Sequence, residues 1–190
     1  MADSWNSKVA WDQLRCASGD SSWEVGELLQ LVLAGDDVWG NLFGLVLHQD
    51  TLWEATVPVA AWMVEALQAE RLGNRLIPVR NPSSGRKYVV SERALALELL
   101  SSMAEVARDA VRSFSPSKQY VAIAALVLEA LRPGIPLYEA GAEDSDDQIS
   151  ETSSALLEAL AGGGTGAASD SEYGRSLRAK LGMPLPSLDK

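Results

Sequence analysis

The stretch SERALALELLSSMAEVARDA, residues 91–110, decides the fold class. Ser91 can offer its hydroxyl to the unpaired N–H groups of a helix start, and Glu92 puts negative charge in the first turn, where the helix dipole favours it. Leu95, Leu99, Met103, Val106 and Ala110 then recur three or four residues apart, which is the period of one helix face and not of an alternating strand. The pattern predicts a long amphipathic helix whose apolar side must be covered by other elements.

Downstream, Ser115-Pro116 reads as a capping hydroxyl before a proline at the first helical position. Tyr120, Ile123, Ala124, Val127, Leu128 and Leu131 make a one-faced helix that Pro133-Gly134 is expected to stop. The acidic run Glu143 to Asp147 reads either as a solvated linker or, through Ser145 and Gln148, as a capping box opening a helix to about Ala161. Gly162-Gly163-Gly164 ends that helix, Gly162 to Ser171 is linker chemistry, and Glu172 to Leu181 is a short helix. Residues 141–190 are therefore expected to be a flexible tail, either mobile or pinned by another chain, behind a helical domain of residues 1–140.

Upstream, a helix is predicted from Ser22 until Gly35-Asp36-Asp37 breaks it, and a second from Val38 to Leu47. The apolar residues of the second cover more than one face, which predicts burial between neighbours. A third helix runs through Ala60 to Leu67, with Pro58 either starting it or kinking it. Between residues 72 and 90 the helical period stops. Leu76 to Val79 and Tyr88 to Val90 flank Asn81-Pro82-Ser83-Ser84-Gly85, a hairpin-like insert.

Composition sets bounds on function. The 190 residues are 47% hydrophobic and 22% charged, which excludes wholly disordered and collagen-like classes. No apolar run approaches the ~18 uncharged residues of a membrane span, and Met1 to Gln13 lacks the regions of a signal peptide. A cytoplasmic protein is expected, in keeping with a single cysteine, Cys16, that has no internal disulfide partner. The net charge of −10 argues against nucleic acid or an anionic membrane as partner and in favour of a basic protein. That charge is uneven: residues 1–62 hold 2 basic and 9 acidic side chains, residues 63–140 hold 10 and 8, and residues 141–190 hold 4 and 9. All six tryptophans, Trp5, Trp11, Trp23, Trp39, Trp53 and Trp62, fall in the first segment, which marks it for a binding face; filling the core of the N-terminal helices is the alternative.

No catalytic constellation is legible. One His and one Cys cannot build a metal site of recognisable spacing, no serine sits in a nucleophile-elbow motif, and no cofactor is expected. Pro82 to Lys87 lacks the first glycine and the hydroxyl residue of a phosphate-binding loop. The pair Asp36-Asp37 suits a helix terminus, and His48, at a helix end, can bond a terminal carbonyl or serve an interface. Five basic residues and no acids lie between Arg71 and Lys87, giving the insert a local positive field.

The segment Trp39-Gly40-Asn41-Leu42-Phe43-Gly44-Leu45-Val46-Leu47-His48-Gln49-Asp50-Thr51-Leu52-Trp53-Glu54-Ala55-Thr56-Val57-Pro58, continuing to Leu67, resembles a motif of bacterial HEAT-repeat-like proteins. In that motif an apolar helix ends in His-Gln-Gly-Thr, followed by an aromatic, Glu-Ala-Thr and a Pro-containing helix; here Asp50 stands where the family has Gly. Ala10 to Gly19 and Arg93 to Val106 are similar to its flanks, so the likeness spans roughly residues 10–110. It implies an all-α chain, a short HEAT-like α-solenoid of antiparallel helix pairs that binds macromolecules along a face. By analogy with small acidic immunity proteins it implies an inhibitor that occludes the active site of a basic toxin or effector domain, with a scaffold or adaptor subunit as the alternative. The candidate contact residues are Asp36, Asp37, Trp39, His48, Asp50, Trp53 and Glu54.

Overall fold

The computed structural model describes residues 9–19, 22–80, 87–113, 117–162 and 170–183. The chain enters through a 3₁₀ turn, Trp11–Gln13, and two short helices, α1 (Trp23–Ala34) and α2 (Trp39–Val46). Gly35 closes α1 in the left-handed conformation, φ +96°, with its N–H bonded to the carbonyls of Leu31 and Val32. A side chain there would also run into the Arg75 guanidinium, so conformation and close approach both require glycine.

Strands β1 (Leu47–His48) and β2 (Thr51–Leu52) pair antiparallel around Gln49 and Asp50, both at positive φ (50° and 54°). Asp50 thus takes up the left-handed backbone that a glycine would adopt without cost, and the two-residue turn closes with aspartate in that place. Helix α3 (Thr56–Gln68) follows, with Pro58 in its first turn, where a missing N–H removes no helical bond. The buried Thr56 hydroxyl donates to the Val46 carbonyl at 2.6 Å and accepts from the Trp53 N–H at 2.9 Å, which ties the end of α2 to the start of α3.

The expected insert is a hairpin, β3 (Leu76–Arg80) paired antiparallel with β4 (Lys87–Ser91), with Ile77 opposite Val90. Its proposed turn residues, 81–85, lie outside the described residues. Ser91 then caps α4 (Glu92–Arg112) by accepting from the Ala94 N–H at 3.1 Å. Helix α5 (Lys118–Leu131) is capped by Ser117 and not by Ser115, which with Pro116 lies outside the described residues.

Pro133-Gly134 does not end the helical path. A 3₁₀ turn over Arg132–Gly134 leads into α6 (Ile135–Ala142), because Pro is compatible with the first turn of a new helix. The path Lys118–Ala142 is long and apolar enough to cross a membrane, yet 56% of its most apolar window is buried inside the molecule, as in a core helix. Helix α7 (Asp147–Ala161) starts at Asp146, whose carboxylate accepts from the N–H groups of Gln148 and Ile149, so the cap is one residue beyond the expected Ser145. Helix α8 (Glu172–Leu181) completes the described chain.

The fold is mostly helical, with two small two-stranded sheets among the described residues. Helix α4 is its hub: it packs on α3, α5 and α7, while α5 also meets α3 and α8. Leu97, Leu99, Leu100 and Met103 of α4, Leu126 and Val127 of α5 and Trp62 of α3 are almost fully enclosed. Burial of each such side chain is worth about 1.5–3 kcal/mol. The segment beyond residue 140 is held by this same chain: Ile149, Leu156 and Ala159 of α7 and Leu177 and Leu181 of α8 belong to the core cluster. That answers the expectation of a mobile or partner-pinned tail for these two helices.

Candidate docking groove and the Glu54 latch

The seven sequence-selected residues divide by burial. Trp39 is 3% exposed and Glu54 4%, so neither offers a surface contact. Trp53 is half-buried, and the indole N–H groups of Trp39 and Trp53 are both enclosed without an acceptor among the described residues. Asp36, Asp37, His48 and Asp50 are exposed. The first two precede α2 and the last two follow it, so the pairs flank opposite ends of a helix about 12 Å long. His48 sits in β1, one residue past the helix C-cap Leu47, and makes no bond to a terminal carbonyl of α2.

The tryptophan cluster resolves in the same way. Trp11, Trp39 and Trp62 are core residues, whereas Trp23, in the first turn of α1, is 53% exposed. It forms one end of a groove between α1 and α2 with a volume of about 600 Å³. Leu28 and Leu31 of α1 and Leu45 of α2 supply apolar walls, Leu31 being 40% exposed. Glu24 and Glu27 line the same groove, are exposed, and have no basic side chain beside them in its lining.

Helix α2 is correspondingly not buried on all sides. Gly40, Asn41 and Gly44 form an exposed face, and a Cβ added at either glycine would meet nothing within 4 Å. Neither glycine has a positive φ. Each costs an eight-residue helix about 0.5–1 kcal/mol relative to alanine, with no close approach among the described residues that requires it. Their effect is a flat, open backbone surface beside Trp23 and Leu31.

Glu54 has a different part. Its carboxylate accepts from the Arg15 backbone N–H at 3.0 Å and the Arg15 Nε at 3.3 Å, and from the Tyr173 hydroxyl in a very short contact. Arg15 also donates to the Tyr173 oxygen at 3.2 Å, and Lys180 Nζ reaches the Gln13 carbonyl at 3.3 Å. Burial pushes the Glu54 pKa up, but the Tyr173 hydroxyl, the Arg15 N–H and guanidinium and the charge of Lys180 outweigh it, leaving the pKa below its ordinary value. Burial and the bond to Glu54 push Tyr173 up to about 12.

A carboxylate so saturated with donors is a weak base. The cluster acts as a latch that holds α8 to the N-terminal segment. A second fastening is Arg178, 1% exposed, whose guanidinium makes a two-pronged pair with the Glu129 carboxylate of α5. Sequence reading passed over Tyr173 and Arg178 because their partners lie 119 and 49 residues away, and no local pattern carries that information.

A smaller polar cavity of about 530 Å³ lies among Gln68, Glu70, Asn74 and Arg93, where Arg93 is already paired with Asp144 at 3.0 Å. Among the described residues no three His, Cys, Asp or Glu side chains converge on a metal position. No protein-family model matches the chain, and neither curated proteins nor solved structures provide a match.

Proposed function

We propose that this chain is a non-catalytic protein-binding module that acts in the cytoplasm as an inhibitor of the immunity type, covering the active site of a basic toxin or effector domain. In this reading the helices form a short HEAT-like α-solenoid of antiparallel pairs, and the docking face is the groove between α1 and α2. The observation that carries it is that groove: Trp23 and Leu31 exposed beside the open Gly40 and Gly44 backbone, with Glu24 and Glu27 on the wall. Its occupant is an amphipathic helix with an apolar stripe and flanking Lys or Arg. Trp23 anchors the stripe, and the carboxylates steer the basic flank.

The test is co-expression with the protein encoded beside it, followed by calorimetry on the purified pair. Truncating a central aromatic anchor costs about 2 kcal/mol or more, so Trp23→Ala should weaken binding by about 30-fold. Wild-type affinity in Trp23→Ala would refute the groove as the docking face. An adaptor of several partners is the second reading, favoured by a separate exposed apolar patch on one face of the hairpin, Leu76 and Val89.

A further inference from the structure

The hairpin's outer face is the unexplained counterpart of the groove. In the β3–β4 register Ile77 and Val90 are opposite one another and buried, so the face they share points to the core. The alternate positions, Leu76, Pro78, Lys87 and Val89, point away, with Leu76 66% and Val89 60% exposed. A two-stranded sheet exposing that much apolar surface gains little stability from it alone. This face carries a cation where the groove carries carboxylates: Lys87 is exposed with no ion pair among the described residues, whereas Arg71 and Arg75 are paired with Glu65 and Glu92.

The base of the hairpin is fastened to the helix that forms one wall of the groove. Arg75, next to Leu76, sends its guanidinium to the Val32 carbonyl at 2.9 Å, and Val32 follows Leu31 of the groove. The same guanidinium pairs with Glu92, so the base of the hairpin is fixed against the last turn of α1. One molecule therefore presents both an apolar recess with two carboxylates and an apolar hairpin face with Lys87, joined through Arg75.

We infer that two copies of this chain associate reciprocally, the outer face of each hairpin seated in the α1–α2 groove of the other. Leu76 and Val89 meet Trp23 and Leu31, while Lys87 faces Glu24 and Glu27. With the two patches joined through Arg75, both contacts can form at once, which closes a two-fold dimer and avoids an open chain of copies. The inference rests on the docking reading of the groove and adds its regulation: the hairpin of a second copy occupies the groove until a tighter-binding partner displaces it.

Sedimentation velocity on the full chain, from about 1 to about 100 μM, reads this directly. The wild type should pass from monomer to dimer, with weaker association at raised salt. Glu24→Lys with Glu27→Lys in one chain, and Lys87→Glu in another, should each weaken self-association by about tenfold or more while the far-ultraviolet circular dichroism is unchanged. An equimolar mixture of the two variants should dimerise again, because it pairs one native and one charge-swapped contact. A monomeric wild type at every concentration, variants that dimerise like the wild type, or a mixture that stays monomeric would each overturn the inference. A monomeric wild type whose Trp23→Ala variant still loses its partner would sink the dimer and leave the groove reading standing.

Discussion

Helices α1 and α4 carry similar apolar patterns and use them in opposite ways. Along α4, Leu95, Leu97, Leu99, Leu100 and Met103 are all buried. Along α1, Val25, Leu29 and Val32 turn inward, while Trp23 and Leu31 stay at the surface beside a companion helix that carries two glycines on its open side. Apolar side chains in α4 are stabilised by neighbours within the chain. In the α1–α2 groove Leu28 and Leu45 still pack partly against the core, whereas Trp23 and Leu31 stay exposed, and it is these two that the proposed docking face would cover.

The sharpest way to break that contrast is a matched pair of truncations. Leu99→Ala, at a fully enclosed site in α4, should lower unfolding free energy by about 2–5 kcal/mol in denaturant titration. Trp23→Ala removes a far larger side chain yet should change stability by less than about 0.5 kcal/mol, as exposed positions do. A large loss in the second variant would place Trp23 among the core residues and remove the distinction.

The latch on α8 gives a middle-sized effect with a defined pH window. The Glu54 pKa is depressed in the fold, so its contribution is present above the ordinary value of 4.5 and is lost as pH falls through the lower folded value. The Tyr173 pKa is raised, so its contribution is complete below the ordinary value of 10 and is lost as pH rises to about 12. Protection of the Glu172–Leu181 amides, taken relative to intrinsic exchange at each pH, should therefore be greatest between these limits and fall on both sides. Tyr173→Phe removes a hydrogen bond to a charged carboxylate, worth about 1.5 kcal/mol, and should speed exchange of α8 at neutral pH while abolishing the alkaline limb. An alkaline limb retained in Tyr173→Phe would assign it to another group.

What could be read from the sequence follows the range of the forces involved. Helices with strong apolar periods and clear stops were legible: α1 ends at Gly35, and α4 begins at Ser91. Local alternatives of equal chemistry were misjudged by one or two residues, as at Ser117 and Asp146, because adjacent residues cap equally well until tertiary packing selects one. Helix α6 was missed because Pro133-Gly134 serves both to end one helix and to start the next. The candidate site was less legible still. The groove lies in the acidic, tryptophan-bearing segment, but which indoles point outward depends on the whole packing. Trp39 and Glu54 turn inward, whereas Trp23, marked only as one of six tryptophans, lines the groove with Glu24, Glu27, Gly40 and Gly44, none of which is among the seven candidate contact residues.

A stabilising change tests the central claim most directly. Gly40→Ala combined with Gly44→Ala adds two methyl groups to an empty surface and should raise unfolding free energy by about 0.5–1 kcal/mol per site. A partner lying against that backbone would meet both methyl groups, so calorimetric affinity should fall even as the protein becomes more stable, which separates the effect from misfolding. Lower affinity in a stabilised variant is the predicted result; a stabilised variant that binds its partner as tightly as the wild type would contradict the assignment of the α1–α2 groove.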